Sequence, residues 1–276
     1  MMVENNRILV DAQWVRSKLE TGNIIVVDCR YNLMDREYGI REYQKGHIPG
    51  SYFLELETHL TGKKGQHTGR HPLPDPKEFA KTMNSMGLKD GVTVVAYDDE
   101  GSGSARLWWL LKYYGHEQVF ILDGGIRSWI DAGYELSRET PDRTEGNFKP
   151  IIHNGMIVTL DQLKSGRDDL CIIDSRSPER YRGEIEPIDP VAGHIPGSLN
   201  IDYKSNLDEN GRYLPKEILK KKFSGIEHEP VVYCGSGVTD CVNIVAMSIA
   251  GREVLLYPGG WSQWVSYEDH PVATGE

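Results

Sequence analysis

Short apolar runs rich in valine and isoleucine recur along the chain, and longer segments with helical spacing separate them. The segments 104–115 and 239–251 place apolar residues at intervals of three and four and end in glycine, which is typical of helices. Continuous apolar strands that alternate with helices predict a parallel sheet covered on both faces. In such sheets ligands bind at the carboxyl ends of the strands. Chemistry is therefore expected where the apolar runs end.

The whole pattern occurs twice. The hexapeptide GHIPGS stands at 46–51 and again at 193–198, each time after an apolar run that ends in an acid and an arginine. Each copy is followed by another apolar run, a helical pattern and a strand that leads into Gly-Gly. Such self-similarity predicts an α/β protein with two tandem domains, each a mainly parallel sheet with helices on both faces. We place the first domain at 1–140, a polar linker at 141–150 and the second domain at 151–276.

One predicted strand ends in a cysteine. Cys234 follows the apolar run 229–233 and opens a glycine-rich loop, and Thr239 is a suitable N-cap for the next helix. Gly235 and Gly237 can take positive φ, so several N–H groups can point inward and form an anion-binding nest. The same field is expected to lower the pKa of the cysteine thiol, and the thiolate is the reactive form. This setting favours a nucleophile over a structural cysteine.

The matching loop of the first repeat contains no cysteine. It carries Asp98, Asp99 and Glu100, three acids that would oppose an anionic ligand, so the second repeat is expected to hold the chemistry. A cysteine-dependent phosphatase needs an arginine six positions after its nucleophile to bind phosphate. Asp240 occupies that position here, which argues against phosphoryl chemistry.

Composition narrows the class of protein further. A net charge of −10 argues against nucleic acid or an anionic membrane surface as a partner. No apolar run approaches the roughly 20 residues that span a bilayer, and the first residues do not resemble a secretory signal, so a cytoplasmic protein is expected. The four cysteines include no C-x-x-C pair and the histidines are not at zinc spacing. We predict no metal site and no cofactor.

The two GHIPGS copies, the loop CGSGVT and the ending GGW-x-x-W resemble a tandem-domain sulfurtransferase of the rhodanese family over residues 8–270. CGSGVT is similar to the branch that takes 3-mercaptopyruvate, whereas the thiosulfate branch usually carries a basic pair where this chain has Gly235 and Ser236. The resemblance implies that a persulfide on Cys234 passes sulfur from a small anionic donor to a thiol acceptor such as thioredoxin, or to cyanide. Thiosulfate as donor, or a persulfide carrier that turns over poorly by itself, are the alternatives.

The resemblance also implies roles for individual residues. Arg180 would bind the donor carboxylate, with an ordinary ion pair to Asp or Glu as the alternative; the mercaptopyruvate branch tends to carry a second arginine where this chain has Asp189. A proton relay would comprise Ser236, His71 and Glu57, where the family more often has Asp. A plain loop residue beside two prolines is the alternative for His71. The loop residues expected to contact the donor are Gly235, Ser236, Gly237, Val238 and Thr239.

The histidines of the two GHIPGS copies are interpreted as structural. His47 is expected to fix its turn by a hydrogen bond to Asp28, which ends the preceding apolar run, and His194 is expected to bond Asp174 in the same way. Neither histidine is expected to contact substrate.

Overall fold

The computed structural model describes residues 7–22, 24–165 and 169–276, which form two compact units. The first unit comprises the chain up to Thr61, Pro74–His153 and Glu209–Arg212, and the second comprises Gly62–Leu73, Asn154–Asp208 and Tyr213–Glu276. Residues 141–150, the predicted linker, therefore belong to the first unit, where the N–H groups of Asn147 and Phe148 donate to the carbonyl of Leu88 at 3.0 and 3.2 Å. Residues 62–73, predicted within the first domain, belong to the second unit.

The first unit is built around a five-stranded sheet of order β1-β5-β4-β2-β3, in which every neighbouring pair is parallel. The two central strands, β2 and β4, are β-branched and almost wholly buried, as expected for strands covered on both faces. Its strands are β1 (Leu9–Val10), β2 (Ile24–Asp28), β3 (Tyr52–Phe53), β4 (Thr93–Tyr97) and β5 (Val119–Leu122). Its helices are α1 (Ala12–Thr21), α2 (Tyr38–Lys45), α3 (Leu56–His59), α4 (Pro76–Ser85), α5 (Ser102–Tyr113) and α6 (Gly125–Asp131).

The second unit repeats this plan with four parallel strands in the order β7-β6-β8-β9. In the described part of this unit, a single parallel bridge between Ile157 and Leu256 takes the place of β1. The strands are β6 (Leu170–Asp174), β7 (Leu199–Asn200), β8 (Glu229–Tyr233) and β9 (Leu255–Leu256). The helices are α7 (Leu160–Lys164), α8 (Pro178–Tyr181), α9 (Lys216–Lys222), α10 (Asp240–Ile249) and α11 (Gly260–Trp264), with 3-10 turns at Asn154–Met156 and Tyr203–Asn206. The predicted fold class is confirmed.

The GHIPGS histidines are structural, but the expected partners were wrong. The Nδ1 atom of His47 lies 2.8 Å from the Tyr43 carbonyl and its ring stacks on the Tyr43 ring at 3.8 Å. His194 repeats both contacts with Tyr181, at 2.7 and 3.7 Å.

The two strand-end acids are held by arginines instead of histidines. Asp28 pairs with Arg30 and Asp174 with Arg176, each at 2.6 Å and almost fully buried. Because a guanidinium two residues after each acid satisfies that acid locally, no histidine is needed there.

The helices of the described ranges are all short, and none is both long and apolar enough to cross a membrane.

Candidate active site

Cys234 lies directly after β8, in a loop whose backbone N–H groups face the sulfur. The amides of Ser236 and Val238 each lie 3.4 Å from Sγ, and Cys234 is only 2% exposed. Gly237 takes a φ of +79°, and a Cβ at that position would lie 2.6 Å from the Pro258 carbonyl oxygen, so the turn requires glycine. The predicted nest of N–H donors therefore surrounds the thiol itself.

The Gly-Gly-Trp segment after β9 also fixes this loop. The N–H of Trp261 donates to the Cys234 carbonyl at 2.8 Å, and the N–H of Ser262 donates to the Gly235 carbonyl at 2.9 Å. Gly260 has a φ of +59°, and a Cβ there would lie 2.7 Å from a loop amide nitrogen. The Gly-Gly-Trp segment thus sets the backbone position of the nucleophile loop.

Thr239 precedes α10 as predicted, but its side chain does not cap the helix. Its backbone is already helical, with φ −72° and ψ −22°, and the hydroxyl makes no capping hydrogen bond. The hydroxyl bonds to the Cys234 thiol instead, which favours the thiolate. The residue is therefore placed to act on the sulfur atom.

The net electrostatic environment of Cys234 differs from the expectation. Burial is the largest influence and raises the pKa of the Cys234 thiol above that of an ordinary cysteine, and the fully buried carboxylate of Asp240 raises it further. Hydrogen bonds from Thr239 and from the backbone amides of Ser236 and Asp240 lower the pKa without reversing that direction. The predicted lowering of the thiol pKa is therefore wrong, because the sequence displays the N–H donors and not the depth of burial.

Two members of the predicted relay are in contact. The segment Gly62–Leu73 belongs to the second unit and brings His71 to the nucleophile loop, where Nδ1 lies 2.7 Å from the Ser236 hydroxyl. Both side chains are buried, at 2% and 4% exposure. A buried imidazole bonded to a hydroxyl two residues after the nucleophile is suited to moving a proton.

Glu57 lies in the first unit, in the first turn of α3, and is partly exposed. It lines a small pocket of that unit together with Arg30 and Tyr31. Its place in the relay stays a prediction, as do the catalytic and donor-binding roles of the loop residues.

Arg180 forms the ion pair that was one of its two interpretations, and it also lies beside the nucleophile loop. It lies in the last turn of α8 and donates to Glu186 from Nε at 3.1 Å and from Nη2 at 2.7 Å, so it does form an ion pair. The same guanidinium also reaches the nucleophile loop, because Nη2 lies 3.6 Å from the point where a Cβ of Gly235 would stand. An arginine held by a buried carboxylate beside the nucleophile is preorganised to bind an anion.

Arg70 is a residue at this site that the sequence analysis missed. It pairs with the buried carboxylate of Asp189, and its Nη2 lies 2.6 Å from the Cβ position of Gly235. The available signal was its place immediately before His71, a residue already named for the relay. An arginine in a glycine-rich surface segment gives no indication by itself of which unit it joins.

Within the ranges that the structure describes, no group of three or more His, Cys, Asp or Glu side chains is arranged to hold a metal ion. All four cysteines lie in those ranges and are free thiols, and the Cys241 thiol donates to the Gly237 carbonyl at 3.7 Å.

Comparisons with known proteins agree with this geometry. The family model described as "Rhodanese-like domain" matches the chain twice, over residues 11–132 and 159–267. A Pseudomonas aeruginosa protein named "probable 3-mercaptopyruvate sulfurtransferase" is 42% identical, with 97% of this chain and 98% of that protein covered. A Mycobacterium tuberculosis protein provisionally named thiosulfate sulfurtransferase SseB is 36% identical, with 99% of both chains covered.

A solved structure points the same way. The crystal structure of SseA from Escherichia coli, described with the rhodanese fold and mechanism of 3-mercaptopyruvate sulfotransferases, superposes with a TM-score of 0.81 at 29% identity. The match covers 93% of this chain and 99% of that one. Since both halves match the family model and relatives match along the whole length, the chain belongs to the rhodanese family, as one of its tandem-domain sulfurtransferases.

Proposed function

We propose that the protein transfers sulfur from 3-mercaptopyruvate, through a persulfide on Cys234, to a thiol acceptor. The observation that carries the proposal is the placement of the Cys234 thiol among backbone N–H donors, with the bonded pair His71 and Ser236 in the same loop environment. Relatives named for 3-mercaptopyruvate at up to 42% identity support this donor.

The first half-reaction moves one sulfur atom and leaves pyruvate. The Cys234 thiolate attacks the donor sulfur, an S–S bond forms and the C–S bond of the donor breaks. The electron pair of that bond stays on carbon as the enolate of pyruvate. The proton of the donor thiol balances the step, since its transfer to the enolate carbon gives pyruvate and leaves a Cys234 persulfide anion. The amides of Ser236 and Val238 are placed to stabilise sulfur anions before and after the transfer.

The second half-reaction regenerates the enzyme. An acceptor thiolate attacks the outer sulfur, the S–S bond to Cys234 breaks and the Cys234 thiolate returns as the leaving group. With a dithiol protein such as thioredoxin as acceptor, the second thiol then releases hydrogen sulfide and closes a disulfide. We place this chemistry in the cytoplasm, where reducing thiols are available.

Because the pKa of the Cys234 thiol is raised, the side chains around it are needed to form the thiolate. At neutral pH the thiol is mostly protonated, so forming the nucleophile requires a proton acceptor. The pair of Ser236 and His71 offers a route, because a neutral imidazole accepts a proton that the hydroxyl passes on.

Thiosulfate is the second candidate donor. Asp189 stands where the mercaptopyruvate branch tends to carry a second arginine, and a relative at 36% identity is provisionally named for thiosulfate. The mechanism would be unchanged, with sulfite as the leaving group.

Steady-state kinetics with each donor test the proposal. We expect kcat/KM for 3-mercaptopyruvate to exceed that for thiosulfate by about tenfold or more, since a fork of guanidinium groups matches a carboxylate best. The reverse order would identify thiosulfate as the donor. Negligible turnover with both donors, together with a Cys234 persulfide that forms and persists, would indicate a sulfur carrier instead of an enzyme.

A further inference from the structure

Two guanidinium groups converge on the residue that follows the nucleophile. A Cβ at Gly235 would lie 2.6 Å from Nη2 of Arg70, and 3.6 and 3.8 Å from Nη2 and Nη1 of Arg180. Any side chain at Gly235 would displace one of them, so glycine at this position keeps the space that both arginines share. The two groups reach that space from different segments of the second unit, Gly62–Leu73 and α8.

We propose that Arg70 is a second donor-binding residue, which holds the carboxylate of the sulfur donor together with Arg180. The proposal rests on the proposed function, because it assigns the specificity of that same site. It concerns binding alone and adds no chemical step.

Asp189 is the residue that joins the two arginines. Its buried carboxylate accepts from Nη1 of Arg70 and, at 3.3 Å, from Nη2 of Arg180. The side chain is 3% exposed, so the carboxylate has little access to water and its bonds to the two guanidinium groups fix their orientation. Asp189 is therefore a positioning residue. The acid that departs from the family pattern provides the anchor for an arginine supplied by another segment.

Each arginine keeps donors for a ligand. Among the residues that the structure describes, Nη1 of Arg180 and both Nη2 and Nε of Arg70 have no hydrogen-bond partner. The Arg70 side chain is 25% exposed and the Arg180 side chain is 16% exposed. A small ligand can therefore reach these donors, although both side chains are mostly buried. A planar carboxylate can accept from guanidinium groups in fixed geometry, which is the arrangement that such groups recognise best.

Charge balance explains why geometry matters more here than net charge. Asp189 and Glu186 neutralise the formal charges of Arg70 and Arg180. Arg176 also contacts Glu186, at 3.2 Å, but its own charge is balanced by Asp174. A donor is therefore recognised by directed N–H bonds and not by a positive surplus. Lysine, which has a point charge and no fork, is expected to replace Arg70 poorly.

A pair of donors that differ only in the carboxylate tests the assignment. 3-Mercaptopyruvate and 1-mercaptopropan-2-one share the thiol and the ketone, and the second compound has a methyl group in place of the carboxylate. We expect Arg70→Ala to lower kcat/KM for 3-mercaptopyruvate by about 10- to 100-fold, mainly through KM, as for the loss of a hydrogen bond to a charged group. For 1-mercaptopropan-2-one the expected change is less than about threefold, because that donor has no carboxylate to lose.

Arg70→Lys provides a second variant that keeps the positive charge if Arg70→Ala does not fold. It should show the same selective loss at about 5- to 50-fold, since the fork is missing. Arg182→Ala is the matched control: Arg182 pairs with the exposed Glu184, and both donors should keep their wild-type rates.

The results separate the two proposals. Equal loss with both donors would show that Arg70 is merely structural, and no loss with either donor would remove it from the site; each overturns the inference while the proposed function stands. If wild-type protein fails to use 3-mercaptopyruvate but uses thiosulfate, the proposed function itself fails.

Discussion

The loop after β4 and the loop after β8 occupy the same place in two sheets of related order, and they carry different ionisable side chains. In the second unit the Cys234 sulfur faces two loop amides at 3.4 Å. In the first unit the Asp98 carboxylate accepts hydrogen bonds from the backbone N–H groups of Gly101 and Ser104, at 2.7 and 2.8 Å. The first loop therefore satisfies its helix N-terminus with its own side chain.

Loop length accounts for part of the difference. Helix α5 begins at Ser102, four positions after Asp98, whereas α10 begins at Asp240, six positions after Cys234. The longer loop supplies Ser236 and Val238 as amide donors before the helix starts. The same strand-loop-helix unit thus provides either a helix cap from its own side chain or a site for an external anion. Which of the two it provides depends on two extra loop residues and on whether aspartate or cysteine ends the strand.

The two loops share their supporting contacts. The Asp98 carbonyl accepts from the N–H of Ile126 at 2.9 Å, and the Cys234 carbonyl accepts from Trp261 at 2.8 Å. Both of these donors follow a Gly-Gly pair. Burial raises the pKa of both loop residues, to about 7 for Asp98. Fold and burial are therefore common to the two repeats, and the reactive group is not.

Exchanging the reactive group gives the largest expected effect. Cys234→Ser should lower kcat by about 10⁴-fold or more, because a hydroxyl cannot form the persulfide. Asp98→Cys in that background should restore nothing, since His71 and Arg180, which lie beside the loop of Cys234, belong to the second unit. Steady-state assays of pyruvate formation measure both.

The remaining cysteines are the matched controls for this experiment. Cys29→Ser, Cys171→Ser and Cys241→Ser should each keep most of the activity, because none of these thiols follows β8. If Cys241→Ser were the inactive variant, the assignment of the nucleophile would be wrong.

Paired glycine substitutions sharpen the comparison at a smaller scale. Gly125 and Gly260 have φ of +57° and +59°. A Cβ at Gly125 would clash with the backbone of Asp98, and a Cβ at Gly260 would clash with the backbone of Cys234 and Ser236. Alanine at each site should lower the free energy of unfolding by about 1–3 kcal/mol, measured by urea denaturation. Only Gly260→Ala should also lower kcat/KM, by about tenfold, because it shifts the loop that holds Cys234. A comparable loss of specific activity in folded Gly125→Ala would contradict the division of roles.

The smallest effect concerns the protonation of Cys234. A raised thiol pKa means that less thiolate is present at neutral pH, so the rate of alkylation by iodoacetamide should keep rising above the pH at which free cysteine reaches its plateau. Asp240→Asn should move the midpoint of that profile downward, because it removes the carboxylate that repels the thiolate. A wild-type midpoint below that of free cysteine would show that the amide nest outweighs burial.

Local patterns in the sequence predict much of the fold and the position of the nucleophile. The repeat, the parallel sheets and the strand-to-helix cysteine loop depend on spacings within a few residues, and apolar periodicity together with Gly-rich turns records them directly. The presence of Cys234 opposite Asp98 in matched loops is also visible without coordinates.

Only the tertiary structure showed that Arg70 lies at the nucleophile loop, and it showed the contact of His71 that the family resemblance had implied. Arg70 and His71 are more than 160 positions from Gly235 and Ser236, and no periodicity indicates that Gly62–Leu73 joins the second unit. The direction of the Cys234 pKa shift likewise depends on how deeply the loop is buried and on the Asp240 carboxylate beside it. Desolvation and long-range contacts both depend on how residues distant in sequence pack together. For that physical reason a short stretch of sequence does not predict them.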